Sequence, residues 1–304
     1  RDLHRLIRRQ RQMCIRDSSG VMANQVAIKT WTRPGDEVII EAKSHTYNHE
    51  SAAIAALSGV QVNLIDAPRG IMTPEQVEAH IRPKDIHYGP TTLICLENPH
   101  NRGGGSIYPV ENIEGIGRLA RERGIRVHLD GARLLNACVA TGLKPTDYTR
   151  HCDSATLCFS KGLGAPVGSM VAGSADFIEE ARRWRKVFGG GMRQAGILAA
   201  ACIYALEHNV ERLAEDHENA RLLAEGLAEI GCLDVNPAQV ETNMVYFGTA
   251  RAGIAAPELE KAMAREGVLF HSEDQTTIRL VTHLDVSRQQ VLEAVRIFRR
   301  VLSR

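Results

Sequence analysis

The chain has 304 residues, 44% of them apolar, and a formal net charge of +1. That length supports one large core or two joined lobes, and the near-zero charge argues against nucleic acid or an acidic membrane surface as the main partner. Seven cysteines occur without a C-x-x-C pair, and Cys95, Cys158 and Cys202 lie in apolar stretches. This fits reduced, buried thiols in a cytoplasmic protein rather than a disulfide frame or a zinc site. The longest apolar run, Ile197 to Leu206, is too short to span a bilayer.

Residues 1–18, RDLHRLIRRQRQMCIRDS, stand apart, with six arginines in the first sixteen positions. A basic arm or a targeting peptide is one reading, but the tract has no apolar h-region. Its MCIRDS string resembles translated adaptor sequence, so 1–18 is set aside as an atypical, artefactual stretch. Ser19 and Gly20 open a helix with Val21, Met22, Val26 and Ala27 among its apolar positions, and the amide groups at such a start can hold a phosphate. A turn at Pro34 and Gly35 leads to a strand, Val38 to Ile40, then to a polar loop carrying His45 and an alanine-rich helix from about Glu50. Val60 to Ile65 is a further strand, and Thr73, Pro74 and Gln76 carry helix-start signals. His87 precedes the strand Thr92 to Leu96, whose far end holds Glu97, Asn98, His100 and Asn101. Gly103 to Gly105 form a turn that matches neither a Walker loop nor G-x-G-x-x-G.

Val110 to Gly124 reads as an amphipathic helix with a C-cap glycine. Two strands follow, the first running through Ile125, Val127 and Leu129 and the second through Ala155 to Phe159. Gly168 to Ala172 is a further strand, and the helix Phe177 to Arg185 breaks at Gly189 to Gly191 before Arg193. Strands alternating with helices at this spacing predict an α/β fold, a mainly parallel seven-stranded sheet with helices on both faces. A helical stretch from Ile197 to about Ile230, broken near Asn209, leads to strands at Met244 to Phe247, Val268 to His271 and Thr277 to Thr282. Helices are predicted at Pro257 to Glu266 and Ser287 to Leu302. The domain reading is therefore 19–210 as a large domain, 211–232 as a connecting helix and 233–304 as a small α+β domain.

Two consecutive strand ends carry chemistry. Asp130 follows Leu129 at a carboxyl end, the edge where open α/β sheets bind ligands; alternatively it caps a helix starting at Ala132. Lys161 stands where the next strand runs into a Gly/Pro loop, and there a poorly hydrated amine can act as a nucleophile; alternatively it is a solvated lysine at a strand exit. A carboxylate for a pyridinium nitrogen and a lysine for a covalent link are what a pyridoxal phosphate enzyme most needs. Arg279 alternates with Ile278 and Leu280, so it points away from their face. A guanidinium fixed on a strand suits bidentate capture of a carboxylate, or else a surface ion pair.

Five motifs together carry a resemblance: ENPHNRGGG at 97–105, HLDGAR at 128–133, SKGLGAPVGS at 160–169, WRKVFGGGMRQAG at 184–196 and IRLVTHLDVS at 278–287. Over residues 19–304, and in order, the chain resembles the threonine aldolases, pyridoxal 5'-phosphate-dependent lyases of fold type I, the aspartate aminotransferase fold. The resemblance implies cleavage of L-threonine or L-allo-threonine to glycine and an aldehyde such as acetaldehyde, with the cofactor carried covalently on Lys161 and no metal. It implies that Asp130 keeps the pyridine nitrogen protonated, that Ser19, Gly20 and Val21 hold the phosphate, and that His45 stacks on the ring. Val21 stands where the family has threonine, and Pro99 likewise replaces a threonine. His45 or His87 is expected to take the β-hydroxyl proton. Arg133 is expected at the cofactor's ring oxygen or the substrate carboxylate, Arg279 at that carboxylate, and Arg193 at the active site or a subunit interface. The expected assembly is a homodimer or homotetramer. Two other expectations stand beside this one: another fold type I enzyme, an aminotransferase or racemase, and a truncated, inactive chain, since family members carry several tens of residues before the position of Ser19.

Overall fold

Strands Glu37–Glu41 and Thr91–Glu97 have apolar centres, Val38 to Ile40 and Leu93 to Leu96, and are buried along nearly their whole length, as strands covered on both faces are. Val38, Ile40, Leu93 and Cys95 pack into one cluster with Ile28 and Ile54, whereas Ile39, Ile94 and Leu96 pack into another with Tyr108, Ile113 and Ile116. Alternate residues thus feed opposite faces of one sheet. In this computed structural model residues 14–17 and 19–303 are described, and the reading of 1–18 as foreign sequence falls mostly outside them.

The sheet comprises β1 (Cys14–Asp17), β2 (Glu37–Glu41), β3 (Gln61–Ile65), β4 (Thr91–Glu97), β5 (Arg126–Gly131), β6 (Ser154–Cys158) and β7 (Ser169–Gly173). Its spatial order is β1-β7-β6-β5-β4-β2-β3. β3, β2, β4, β5 and β6 pair in parallel, and β7 joins β6 and β1 antiparallel. The helices around it are α1 (Gly20–Trp31), α2 (Pro74–His80), α3 (Val110–Arg123), α4 (Leu134–Thr141), α5 (Ala175–Val187) and α6 (Gly196–His208). Ser19 caps α1 by accepting the Met22 N–H at 3.2 Å. Gly124 ends α3 in the left-handed region at φ 69°, where only glycine sits without strain. The fold is the mainly parallel α/β sheet that the alternation of strands and helices predicts.

This unit runs to Gly103 and resumes over Ile107–Asn209; a second unit holds Gly104–Ser106 and the chain from Val210. The second unit contains α7 (Leu213–Ala228), α8 (Ala256–Arg265), α9 (Arg288–Leu302) and an antiparallel sheet ordered β10-β11-β9-β8. Its strands are β8 (Asp234–Val235), β9 (Met244–Gly248), β10 (His271–Ser272) and β11 (Thr277–Val281). The stretch 211–232, predicted as a connecting helix, supplies α7, whose Leu223, Ala224 and Leu227 pack in one core with Val245, Phe247 and Phe298.

Two local predictions differ from the structure. The strand expected at Val268 to His271 is only two residues long, His271–Ser272. Gly267 is still closing α8 at φ 87° and the Val268 N–H bonds back to Met263 O, so the chain is committed to a helix C-cap. The alanine-rich helix expected from Glu50 is a single wide turn, Ile54–Ser58, preceded by Ser51 and Ala52 at φ 54° and 56°. The cause is the Glu50 side chain, which is drawn inward.

Candidate active site

Parallel pairing of β4 with β5 sets Glu97 opposite Asp130, and β5 with β6 sets Asp130 opposite Thr156. The carboxyl ends of three neighbouring strands therefore converge. Lys161 follows β6 by three residues and is half-buried. Asp130 is 4% exposed. One of its oxygens accepts the Ala132 N–H at 3.0 Å, so it does perform the helix-entry role read as its alternative. The other accepts Asn24 Nδ2 at 2.8 Å. Burial by itself pushes this carboxyl up, but the charges of Lys161 and His45, with the Asn24 and Ala132 N–H groups, outweigh it and hold Asp130 below the usual carboxylate range. The result is a buried, ionised carboxylate at a sheet edge.

His45 lies in the turn after β2. Its backbone N–H donates to Glu97 Oε2 at 2.7 Å, and its Nδ1 lies 3.1 Å from Glu50 Oε1. The hydrogen bond to Glu50 raises the imidazole above its ordinary value; burial opposes this, and Asp130 and Glu97 add to it. Glu50 in turn is raised, chiefly by burial. It accepts Asn24 Nδ2 at 2.9 Å and Gln25 Nε2 at 2.7 Å. His45, Glu50 and Asp130 each bring a side-chain atom within 4.8 Å of the others. Glu97 also accepts the Asn101 N–H at 2.9 Å, and buried His100 places Nε2 2.8 Å from Glu41 Oε2.

The start of α1 packs on the end of β6: a Cβ at Gly20 would come within 2.9 Å of Cys158 Sγ. Burial raises the Cys158 thiol, while Lys161 and Arg133 act on it in the opposite sense. Ser19, Gly20, Cys158, Lys161, Arg133 and Asp130 thus belong to one neighbourhood, with Val21 exposed beside it. A helix start supplies amide donors for a phosphate, a buried ionised carboxylate suits a pyridinium nitrogen, and the charge of an amine acts on both Asp130 and Cys158. The donor set fits pyridoxal phosphate.

Not every predicted residue joins this group. His87 precedes β4 at the amino edge of the sheet, where the Pro90 carbonyl accepts the Glu37 N–H. There it is exposed and 2.6 Å from Asp85. Since parallel strands put Asp130 at the opposite edge, His87 and Asp130 do not come together within one chain. Arg193 stands exposed on the link between α5 and α6 and is not among the residues gathered at Asp130. In the second unit Arg279 lies opposite the buried Ile278 and Leu280 face, and its Nε pairs with Glu273 at 3.0 Å. Sequence reasoning missed Asn24, Gln25 and Glu50 as site residues. Their only signal was three polar side chains near the starts of otherwise apolar helices.

Fold and site together fit a pyridoxal phosphate enzyme, a buried carboxylate and a lysine meeting a helix start at one edge of a mainly parallel sheet. The family model described as beta-eliminating lyase matches residues 11–250. A low specificity L-threonine aldolase of Escherichia coli is 44% identical over 287 residues, covering 94% of this chain and 83% of the relative. Low-specificity L-threonine aldolase 1 of Arabidopsis thaliana is 40% identical over 278 residues, covering 90% and 78%. Among solved structures, a threonine aldolase of Leishmania major superposes with TM-score 0.79 at 22% identity, covering 95% of this chain and 84% of that one. An aspartate aminotransferase of Thermus thermophilus gives 0.71 at 21% identity, covering 98% and 84%. The chain belongs to the threonine aldolase family.

Proposed function

We propose that the chain is an aldehyde-lyase that cleaves L-threonine or L-allo-threonine to glycine and acetaldehyde with pyridoxal 5'-phosphate. The observation that carries this reading is Asp130, a buried carboxylate held ionised beside Lys161 and His45. When bound, the cofactor supplies an electron sink for the pair released from the substrate's Cα–Cβ bond. Lys161 Nζ would hold it covalently, Asp130 would keep its pyridine nitrogen protonated, and the first amides of α1, at Ser19, Gly20 and Val21, would hold its phosphate. His45, anchored through Nδ1 by Glu50, uses Nε2 to take the β-hydroxyl proton, and an imidazole near neutrality suits that work. Arg133 and Arg279 are assigned to the ring oxygen and the substrate carboxylate, as the family resemblance implies.

The assembly proposed is a homodimer or homotetramer. Val187, Met192, Ile197 and Tyr204 are 61%, 62%, 86% and 61% exposed on α5, α6 and their link, an apolar face that a second copy would cover. Cytoplasmic residence is proposed on the free thiols of Cys95, Cys138, Cys152, Cys158, Cys202 and Cys232. No helix among the described residues is long and apolar enough to cross a membrane.

The test is a visible spectrum of the chain with pyridoxal phosphate, before and after L-threonine, with product analysis. A Lys161-dependent band and acetaldehyde release are expected. Lys161→Ala should lower kcat by on the order of 10⁴ to 10⁶, the scale of losing a covalent catalyst. Amino transfer to a keto acid without aldehyde would replace the lyase reading with an aminotransferase.

A further inference from the structure

Asn24, one turn into α1 and 2% exposed, touches both carboxylates of the site. Its Nδ2 lies 2.8 Å from Asp130 Oδ2 and 2.9 Å from Glu50 Oε1, and its Oδ1 lies 3.0 Å from Thr156 Oγ1 and 3.3 Å from His128 Nε2. An amide's oxygen and nitrogen have the same outline, so the network must decide between its two orientations. Here the network begins at a group that cannot be reversed. The Trp31 indole only donates, and its Nε1 is 2.8 Å from Ser154 Oγ. The Ser154 oxygen could still accept a second hydrogen, so the direction comes from the far end: Glu50 and Asp130 take both Asn24 amide hydrogens, Oδ1 is left toward His128 Nε2, and Nδ1, 2.9 Å from Ser154 Oγ, is left to accept the hydroxyl. His128 Nδ1 accepts, its hydrogen sits on Nε2, and Nε2 donates to Asn24 Oδ1. The Thr156 hydroxyl lies 3.0 Å from the same oxygen and 3.4 Å from Asp130 Oδ1, either of which can accept its hydrogen.

Burial brings His128 down to about 4, so it keeps a single ring hydrogen through the neutral range and cannot donate at both ends. Every link therefore runs one way, from an indole on the C-terminal turn of α1 to two carboxylates at the centre of the site. Without the bridge, Asp130 and Glu50 would be two buried carboxyls within 4.8 Å of one another, each short of a donor.

We infer that Asn24 is a positioning residue: held in one orientation by the two carboxylates and backed by His128, Ser154 and Trp31, it ties Asp130 to the Glu50 anchor of His45, setting the spacing of the two groups that would hold the cofactor ring. This rests on the pyridoxal phosphate reading of Asp130.

The experiment uses the whole chain labelled with nitrogen-15 histidine, first without cofactor. His128, assigned through His128→Gln, is expected to show a bare Nδ1 and a protonated Nε2 across the neutral range. Trp31→Phe and Ser154→Ala should move its resonances toward a mixture of tautomers, and Ser154→Thr, which keeps the hydroxyl, should restore them. Pyridoxal phosphate affinity is then measured by fluorescence titration. It should fall roughly ten- to a hundred-fold in Ser154→Ala and in His128→Leu, the cost of a lost donor to a charged group. It should be largely retained in Ser154→Thr and in His128→Gln, whose amide still reaches Asn24. A packing role would instead tolerate leucine as well as glutamine. A hydrogen on His128 Nδ1 in the wild type, or undiminished affinity in both Ser154→Ala and His128→Leu, overturns the role of Asn24 and leaves the functional reading intact. A wild-type chain that shows the tautomer but binds no pyridoxal phosphate overturns the functional reading and the inference with it.

Discussion

At Gly20 a side chain has nowhere to go, because the sulfur 2.9 Å from its would-be Cβ is buried and receives the Ser169 hydroxyl at 3.2 Å. Gly20→Ala is expected to destabilise the chain by about 1–3 kcal/mol, the usual cost of overpacking. Adding Cys158→Ala should recover most of that loss, and calorimetry of the four variants measures the coupling. At His45 the sign of a pH effect follows from its partners Glu50, Asp130 and Glu97. Its folded pKa is raised above 6.5, so the stability it adds is fully present below the unfolded value and is lost as pH rises through the folded one. His45→Gln should therefore cost more stability in mildly acid than in alkaline solution. Urea midpoints across that range check this, and a pH-independent cost would contradict it. Asp130 and Lys161 could be read in the sequence because each stands where an apolar run stops, whereas His45, in a polar loop, is singled out only by the family resemblance. Asn24 could not: in sequence it is one polar residue on a helix, and its partner Asp130 lies 106 positions away.

At the scale of elements, caps and apolar runs were legible because they are local. Thr73 and Gln76 form the predicted helix start as a reciprocal capping box, and Ser287 with Gln290 does the same for α9. Ser287→Ala should cost about 0.5–2 kcal/mol in urea unfolding, the range for a lost N-cap. The strands at β2, β4 and β11 lie within a residue of the sequence reading because their burial is set by runs of Val, Ile and Leu. The misread element, 50–58, shows the limit of local reading. Alanines after Glu50 favour a helix, but a carboxylate pulled inward by Asn24, Gln25 and His45 holds Ser51 and Ala52 in the left-handed region. A tertiary contact there overrides propensity. His87 is placed by resemblance alone, and because it precedes β4 it emerges at the amino edge of the sheet.

For the whole molecule, the apolar face of α6 bears on assembly. Ile197→Asp places a charge where 86% of an isoleucine is exposed. In sedimentation it is expected to shift the chain toward smaller species while leaving its melting temperature nearly unchanged, since a surface position contributes little to the fold. A variant that sediments like the wild type would exclude this face from the proposed assembly. The one-way run from Trp31 through Ser154, His128 and Asn24 has a further consequence. Passing a proton along it would require every link to reverse, and the indole at its head cannot accept one. The run is thus an insulator rather than a wire: the interior side of Asp130 is closed to proton traffic, and any exchange with solvent must come from the open side of the site. Hydrogen exchange at the Trp31 indole and at the His128 ring should then be slow together, as one locked segment of the interior.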